Sequence, residues 1–189
     1  MKVIQLRGTN ATGKTTTVRQ FIQRNNFVVN TIRVGYRDIE YHWDSQREIA
    51  IIGRYDQAMS GGVDGYITDK DVLRDTIIRM VKNIKPNAVI FEGIVYGVTF
   101  QFAYELNKVL EKIGCDYVGI CFLPPLDVVF DRLAVRNGGK EVDYMSVQNK
   151  WFTASRAYEK LKRAGVDVKA VDTTKIPKKQ MYKLIEDEL

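Results

Sequence analysis

The beginning of the chain carries a pattern of residues that binds phosphate. The run Gly8-Thr9-Asn10-Ala11-Thr12-Gly13-Lys14-Thr15 has the spacing G-x-x-x-x-G-K-[ST]. In such a loop the glycines let successive backbone N–H groups point at one small volume, and the positive end of the following helix attracts phosphate oxygens. The lysine reaches the β and γ phosphates, and the threonine hydroxyl ligates magnesium. The pattern predicts ATP and Mg²⁺ as ligands, held by Gly8, Asn10, Ala11, Thr12, Gly13, Lys14, Thr15 and Thr16.

The segments on either side of this loop support the same prediction. An apolar-rich strand is expected over Lys2 to Leu6, and a helix over Thr15 to Gln23 with Val18 and Phe21 on one side. The loop therefore lies between strand and helix, where its mechanism requires it. A glycine turn with an ordinary surface lysine would not need this context.

Two carboxylates further along the chain have positions that suit phosphoryl transfer. Ala88 to Phe91 is a continuous apolar run, typical of a buried parallel strand, and Glu92 follows it. A carboxylate there has the placement of a Walker-B acid, which holds a magnesium-bound water or positions the substrate. Asp38 lies within Tyr36 to Asp44, which we expect to be a loop at the ligand side of the sheet. It is a candidate general base for a substrate hydroxyl, or alternatively a turn or helix-cap aspartate.

A pair of arginines indicates a lid over the phosphates. Arg132 and Arg136 stand four residues apart on a helix expected over Asp127 to Val135, and Asn137-Gly138-Gly139-Lys140 follows. Guanidinium groups that approach the migrating phosphoryl group from the side opposite the loop neutralise the charge of the transition state. We therefore predict a lid at roughly 136–144, with a surface pair of arginines as the alternative.

Alternating strands and helices predict the fold class. The pattern indicates an α/β domain with a doubly wound, largely parallel sheet, a three-layer sandwich in which residues 1–189 form a single domain. Further strands are expected at Phe27–Gly35, Arg47–Tyr55, Asp116–Leu123 and Val166–Val171, and further helices at Asp69–Ile84, Thr99–Ile113, Asp143–Ala164 and Pro177–Leu189. Asp69 or Thr68 is the expected N-cap of the first of these helices.

Composition excludes several classes of protein. Of the 189 residues 45% are hydrophobic and 28% charged, and no apolar run approaches the ~20 residues of a membrane span. The chain enters its first strand directly, so we expect no signal peptide and a cytoplasmic protein. Cys115 and Cys121 lack metal-ligand spacing and are expected to be reduced and structural. His42 is the single histidine, which excludes histidine-rich metal sites.

The positive charge of the chain is concentrated at its beginning. Residues 1–37 hold seven basic and no acidic residues, whereas the remainder has a net charge of −1, which gives +6 in total. Such a field attracts polyanions. ATP alone accounts for it, and a nucleic-acid substrate is also compatible with it.

The motifs together resemble one family of P-loop kinases. A GTPase would need an Asn-Lys-x-Asp element, which the chain lacks, and a large assembly ATPase would be longer. The opening Gln5 to Thr16, with Gly53-Arg54-Tyr55-Asp56, Ser60-Gly61-Gly62-Val63-Asp64-Gly65 and Phe91-Glu92-Gly93, resembles the bacteriophage 5-hydroxymethyluracil DNA kinases, which are similar to polynucleotide kinases. The resemblance implies ATP-dependent phosphorylation of the hydroxymethyl group on uracil bases in DNA, a step in thymine hypermodification. It also implies a location in the host cytoplasm and other DNA-modification enzymes as partners.

The resemblance further implies roles for individual residues. In the polynucleotide kinase-like group an aspartate after the second strand is the base, and Asp38 fits that pattern, although Glu40 and Asp44 lie near enough to compete. A target base must leave the duplex stack, and Tyr36, Tyr41 and Trp43 are candidates to stack on it or to pack in the core. The set expected to bind the substrate is Tyr36, Arg37, Arg54 and Asp64. The alternatives are a nucleoside or nucleoside monophosphate kinase with a free substrate, and a non-catalytic nucleotide-binding accessory protein.

Overall fold

The computed structural model describes residues 1–55, 61–64, 66–138 and 143–189. Within these ranges the strands form one sheet in the order β2-β3-β4-β5-β1-β6-β7. Their bounds are β1 Lys2–Arg7, β2 Val28–Val34, β3 Arg37–Asp44, β4 Ile49–Ile52, β5 Ala88–Glu92, β6 Asp116–Phe122 and β7 Val168–Val171. The helices are α1 Lys14–Gln23, α2 Lys70–Arg79, α3 Ile94–Gly97, α4 Phe100–Glu111, α5 Leu126–Arg136, α6 Tyr144–Arg163 and α7 Lys183–Glu186. A π-helical turn, Met80–Ile84, continues α2, and a 3-10 turn, Lys178–Gln180, precedes α7.

Strands β4, β5, β1, β6 and β7 are parallel, and the β2–β3 hairpin adds two antiparallel strands at one edge. The predicted α/β class and largely parallel sheet are thus confirmed. The carboxyl ends of the parallel strands meet at one edge of the sheet, which we call the rim. The phosphate loop follows β1 at this rim, and Glu92 ends β5 beside it.

The expectation that residues 36–44 form a loop is wrong. They belong almost wholly to β3, which pairs with β2 from Val28↔Trp43 to Val34↔Arg37 and with β4 from Tyr41↔Ile52 to Asp44↔Ile49. The physical reason is the alternation of the apolar Ile39, Tyr41 and Trp43 with polar residues, which lets one face of the strand pack against the core. The density of charged groups in this segment obscured that period of two.

Apolar side chains cover both faces of the sheet. Leu73 and Ile77 of α2 and Leu106 of α4 pack on one face. Val18 and Phe21 of α1 pack on the other, together with residues of the C-terminal segment. Helices on both faces make the sheet the middle layer of a doubly wound domain. Cys115 and Cys121 are both buried and free, as predicted.

Several element boundaries follow from local signals. Asp69, predicted as a helix cap, accepts hydrogen bonds from the N–H groups of Asp71 and Val72 at the start of α2. The single helix expected over Pro177–Leu189 is instead a 3-10 turn followed by the short α7. In that segment Met181 and Ile185 are the buried apolar residues. Packing against the core therefore stabilises only the short stretch around each of them. None of the helices in the described ranges has the length and apolar character needed to cross a bilayer.

Candidate active site

At its two glycines the phosphate loop has a backbone conformation that residues with side chains rarely adopt. Gly8 and Gly13 have φ values of 134° and 108°, and a Cβ on Gly8 would lie 2.7 Å from the carbonyl oxygen of Phe122. Ala11 is also left-handed, with φ 55°. Helix α1 begins at Lys14 without a side-chain cap. Its first N–H groups, which a helix cannot satisfy internally, are therefore available to phosphate oxygens.

Lys14 is folded back onto the loop it belongs to. Its ammonium group donates to the carbonyl oxygens of Gly8 at 3.0 Å and Thr9 at 2.8 Å. Burial lowers the pKa of Lys14, an effect that the charges of Glu92 and Asp64 oppose and that of Arg136 reinforces. The lysine is thus a buried ammonium group surrounded by carbonyl dipoles, and a bound anion would oppose the lowering of its pKa.

Glu92 and Thr15 form the acidic side of the loop. The Thr15 hydroxyl donates to Glu92 Oε1 at 2.5 Å, and Glu92 is only 2% exposed. Burial raises the pKa of Glu92, although the Lys14 charge and the Thr15 hydrogen bond act in the opposite direction. Nowhere in the described ranges do three or more His, Cys, Asp or Glu side chains gather into a metal cage. A hydroxyl and a single carboxylate beside a phosphate loop suit Mg²⁺, which takes few protein ligands and completes its shell with water and phosphate.

The Gly61-Gly62 pair of the middle glycine motif closes over these two side chains. A Cβ on Gly61 would lie 2.3 Å from Thr15 Cγ2, and one on Gly62 would lie 2.9 Å from Glu92 Oε1. The Val63 N–H donates to the Glu92 carbonyl oxygen at 2.9 Å. The glycines are thus explained by close backbone approach to the site. Asp56, Ser60 and Gly65 of the quoted motifs lie outside the described residues.

Asp64, predicted to bind substrate, is engaged with protein in this structure. Its carboxylate accepts hydrogen bonds from the N–H groups of Ile94 and Val95, and so it caps the short helix α3. Its charge also acts on Lys14. The structure therefore places Asp64 beside the phosphate loop, and its contact with a substrate stays a prediction.

The two predicted lid arginines lie on the loop side of α5. Arg132 Nη1 donates to the Ala11 carbonyl oxygen at 3.4 Å and to Thr173 Oγ1 at 2.9 Å. Thr173 in turn donates to the Thr12 carbonyl oxygen at 3.1 Å. Arg136 is near enough for its charge to lower the pKa of Lys14. Both arginines thus border the phosphate loop, whereas Gly139 and Lys140 of the lid lie outside the described residues.

The structure does not bring the predicted base against the phosphate loop. Asp38 is an exposed residue near the start of β3, and its carboxylate pairs with Arg33 at 2.9 Å. Strand β3 is three places from β1 in the sheet, a separation of about 14 Å at the usual strand spacing. Glu40 lies on the same side of the rim and pairs with Arg54 at 2.7 Å. Asp44 pairs with Ile49 at the opposite edge of the sheet, which removes it from the competing acids.

The aromatic candidates for base stacking separate clearly. Tyr41 is buried in the core and Trp43 packs against it, so these two are core residues. Tyr36 is 78% exposed at the hairpin turn, where the Arg37 guanidinium carbon lies 5.5 Å from its ring centroid. Tyr36, which is exposed, and Arg37, which is partly buried, are therefore the members of the predicted substrate set that lie on the hairpin.

Sequence reasoning missed a buried arginine behind the loop. Arg7 is 1% exposed and donates to Gln5 Oε1 at 2.9 Å and to the carbonyl oxygens of Thr99 at 2.6 Å and Tyr96 at 3.4 Å. Among the described residues no carboxylate forms an ion pair with it. Arg7 ties the segment after Glu92 to the strand that enters the phosphate loop. Its position at the end of an apolar strand gave no sequence signal for this role.

The loop also contains polar atoms that have no partner. Thr9 Oγ1 and Asn10 Oδ1 are buried, and neither has a hydrogen-bond partner in the described parts of the chain. Buried polar groups are normally satisfied. Together with the uncapped start of α1, these atoms fit a loop built to receive a nucleotide.

A phosphate loop at the rim of a parallel sheet, with a hydroxyl–carboxylate pair beside its lysine, defines a P-loop nucleotide-binding domain of the phosphotransferase type. A family model described as 5-hmdU DNA kinase matches residues 2–179, and the chain belongs to this family.

Curated relatives with the same description come from three bacteriophages. The protein of Pseudomonas phage M6 is 29% identical over 178 residues, which cover 90% of this chain and 91% of the relative. Those of Bacillus phage SP10 and Delftia phage PhiW-14 are each 27% identical and match 87% and 78% of this chain. The chain spans only 26% and 58% of the length of these last two relatives.

A solved structure shares the fold. The tunicamycin resistance protein of Deinococcus radiodurans superposes with a TM-score of 0.52 over 99% of this chain and 94% of that one, at 14% identity. At this level of identity the similarity concerns the architecture alone.

Proposed function

We propose that the chain is an ATP-dependent kinase that transfers the γ-phosphoryl group to the hydroxymethyl group of 5-hydroxymethyluracil in DNA, a step in thymine hypermodification. The observation that carries the proposal is membership of the 5-hmdU DNA kinase family together with the Lys14–Thr15–Glu92 arrangement. The three phage relatives carry a name that specifies DNA, which favours DNA over a free nucleoside or nucleotide as acceptor.

On the donor side, the loop residues Gly8 to Thr16 bind the phosphates of ATP. Lys14 exchanges its bonds to the Gly8 and Thr9 carbonyl oxygens for phosphate oxygens. Thr15 and Glu92 would hold Mg²⁺, which would neutralise the charge of the β and γ phosphates. Little covalent chemistry is asked of these residues, because positioning and charge neutralisation lower the barrier.

On the lid side, Arg132 and Arg136 close over the γ-phosphate. Arg132 Nη1 is hydrogen-bonded to the Ala11 carbonyl oxygen and to Thr173 Oγ1, and these two contacts fix the orientation of its other N–H donors. A guanidinium group beside the migrating phosphoryl group stabilises the charge that spreads over its equatorial oxygens. The arginines act opposite Lys14, so the phosphoryl group is enclosed from two sides.

On the acceptor side, a carboxylate accepts the hydroxyl proton as the new O–P bond forms and the bond to the ADP oxygen breaks. Asp38 is our proposed base, and Glu40 is the competing carboxylate on the same side of the rim. Each forms an ion pair with an arginine, which a substrate would have to displace or share. Tyr36, Arg37, Arg54 and Asp64 are the proposed substrate contacts. In a phage-infected cell the protein would act in the host cytoplasm beside other DNA-modification enzymes.

The experiment is a transfer assay with γ-labelled ATP and magnesium. Duplex and single-stranded DNA containing hydroxymethyluracil are compared with thymine DNA of the same sequence, and with free hydroxymethyldeoxyuridine and its monophosphate. Label on the modified DNA alone supports the proposal. Label on a free nucleoside or nucleotide only would replace it by the small-substrate alternative, and ATP binding with no transfer to any acceptor would favour an accessory protein.

A further inference from the structure

Three side chains beside the phosphate loop form a rigid planar surface. Arg54 Nε donates to Glu40 Oε2 at 3.0 Å, and Nη2 forms an ion pair with the same oxygen at 2.7 Å. The Arg54 guanidinium carbon lies 4.1 Å from the ring centroid of Tyr66. The Tyr66 hydroxyl donates to the Asp38 carbonyl oxygen at 3.1 Å and accepts from the Glu40 N–H at 2.5 Å. We call these three residues, Arg54, Glu40 and Tyr66, the Arg54 platform.

The platform fixes the orientation of a side chain that is normally mobile. An exposed ion pair alone contributes little and leaves a long side chain free to move. Here the guanidinium plane is set by Glu40 at its edge and by the Tyr66 ring on one face. The Arg54 side chain nevertheless keeps 43% of its area exposed. Since Tyr66 covers one face, the exposed area belongs to the opposite face and the free edge.

The platform is connected to the phosphate loop through a short chain of contacts. The backbone N–H groups of Arg54 and Gly62 each donate to the other residue's carbonyl oxygen at 3.2 Å. Gly62 packs so closely on Glu92 that a Cβ would lie 2.9 Å from its carboxylate oxygen. Glu92 is in turn hydrogen-bonded to Thr15. The platform therefore adjoins the magnesium side of the loop, on the side of the β2–β3 hairpin.

We propose that the exposed face of Arg54, backed by Tyr66 and oriented by Glu40, is the surface on which the acceptor pyrimidine base stacks. This inference rests on the proposed function. Guanidinium planes and aromatic rings are the groups on which unstacked bases pack. A base lying there would be near Glu92 and Thr15, where the migrating phosphoryl group must meet its hydroxymethyl group.

The state of the Arg54 donors distinguishes a base from a phosphate as the ligand. Glu40 occupies the Nε–Nη2 edge of the guanidinium group, so that edge cannot form the bidentate contact by which arginine binds phosphate, whereas the Nη1 edge keeps its donors. Glu40 also neutralises the charge. Because Glu40 balances the charge that would attract a phosphate, the open face of the guanidinium group favours a neutral ring as its ligand.

The test combines steady-state kinetics with direct binding. Arg54→Lys keeps the charge and removes the plane, and Tyr66→Leu removes the backing ring. We expect each to raise the KM for a hydroxymethyluracil oligonucleotide about 10- to 100-fold, with the KM for ATP changed less than about twofold. Arg74→Lys, which alters an arginine paired with Asp71 on α2, is the matched control and should change neither constant.

Binding of an oligonucleotide with an abasic site in place of the modified base isolates the stacking contact. Wild-type protein should bind it about as weakly as Arg54→Lys binds the intact oligonucleotide, and Arg54→Lys should lose nothing further on the abasic one. An unchanged KM for DNA in both platform variants would overturn the inference. For Arg54→Gln, which removes the charge, a fall of about one in the slope of log binding constant against log salt would also overturn it, by assigning Arg54 to a phosphate.

Failure of this inference and failure of the proposed function give different results. If wild-type protein phosphorylates the modified DNA and the platform variants behave like Arg74→Lys, only the platform is wrong. If wild-type protein phosphorylates free nucleosides and not DNA, the proposed function is wrong. In that case a raised KM for the nucleoside in Arg54→Lys would support the platform, and an unchanged KM for the nucleoside would overturn it.

Discussion

Replacing Gly62 by alanine should disturb both the stability of the protein and its catalytic centre. Gly62 has φ +84°, and its Cβ would lie 2.5 Å from the Glu92 carbonyl oxygen and 2.9 Å from Oε1. Contacts of a Cβ shorter than 3.0 Å are not found, so the backbone at Glu92 must move by about 0.5 Å. That carboxylate forms the 2.5 Å hydrogen bond with Thr15 at the proposed magnesium site.

The expected magnitude has two parts. The left-handed backbone costs about 1–2 kcal/mol for an L-residue, and overpacking of a close contact costs about 1–3 kcal/mol. Gly62→Ala should therefore lower the free energy of unfolding by about 2–5 kcal/mol. Because a small misplacement near the reacting atoms is amplified in the rate, we expect kcat to fall about 10- to 100-fold.

Gly165→Ala is the control for this prediction. Gly165 has φ +74°, and nothing lies within 4 Å of a Cβ built on it. It should therefore lose only the backbone part, about 1–2 kcal/mol, and keep its kcat. Urea unfolding and the labelled-ATP assay measure both variants. Equal losses of stability in the two, with full activity in Gly62→Ala, would refute the close contact with Glu92.

Four further predictions test the site and its support. Glu92→Gln should lower kcat at least about 100-fold. The same change should raise the free energy of unfolding at pH 7, because burial holds the pKa of Glu92 above 4.5 and the charged carboxylate therefore costs stability in the folded protein. Between pH 4.5 and this raised pKa the folded wild type binds more protons than the unfolded chain, so its free energy of unfolding should fall as pH rises through that range. Urea unfolding at several pH values should show that the variant lacks this slope. Arg132→Ala should lower kcat about 100- to 1,000-fold in the labelled-ATP assay, with Arg132→Lys in between. Asp38→Asn and Glu40→Gln should identify the base by their effects on kcat. Loss of the base should lower kcat about 100-fold or more, whereas the other substitution should change kcat by less than about threefold. Arg7→Met should cost about 3 kcal/mol in urea unfolding, because it removes the buried hydrogen bonds that Arg7 donates to Gln5 and to the Thr99 carbonyl oxygen.

Most of the fold could be predicted because its signals are local. The spacing of the phosphate loop, the apolar run before Glu92 and the cap at Asp69 each lie within a few residues of sequence. The alternation of Ile39, Tyr41 and Trp43 was also present, but the charged residues between them resembled a functional loop. The assignment of Asp38 to a loop was wrong for that reason. The parallel neighbour of β5 on the hairpin side is β4, and β3 lies one strand further out.

The remaining parts of the site depend on contacts between distant segments. Tyr66 meets Arg54 and the hairpin only after the sheet has formed, and the bridge from Arg132 through Thr173 to Thr12 spans most of the chain. Arg7 reads as a polar end to an apolar strand until its carbonyl partners are in place. No spacing rule relates such residues, because the topology of the sheet alone brings them together.

The attachment of the β2–β3 hairpin separates two tasks within one small protein. The hairpin joins the parallel strands through four residue pairs, from Tyr41↔Ile52 to Asp44↔Ile49, while its turn extends beyond them. Changes in the length or chemistry of that turn would leave the nucleotide cleft intact. Under the proposed function, remodelling of this turn would alter the acceptor contacts of Tyr36 and Arg37 and leave the phosphate loop unaltered.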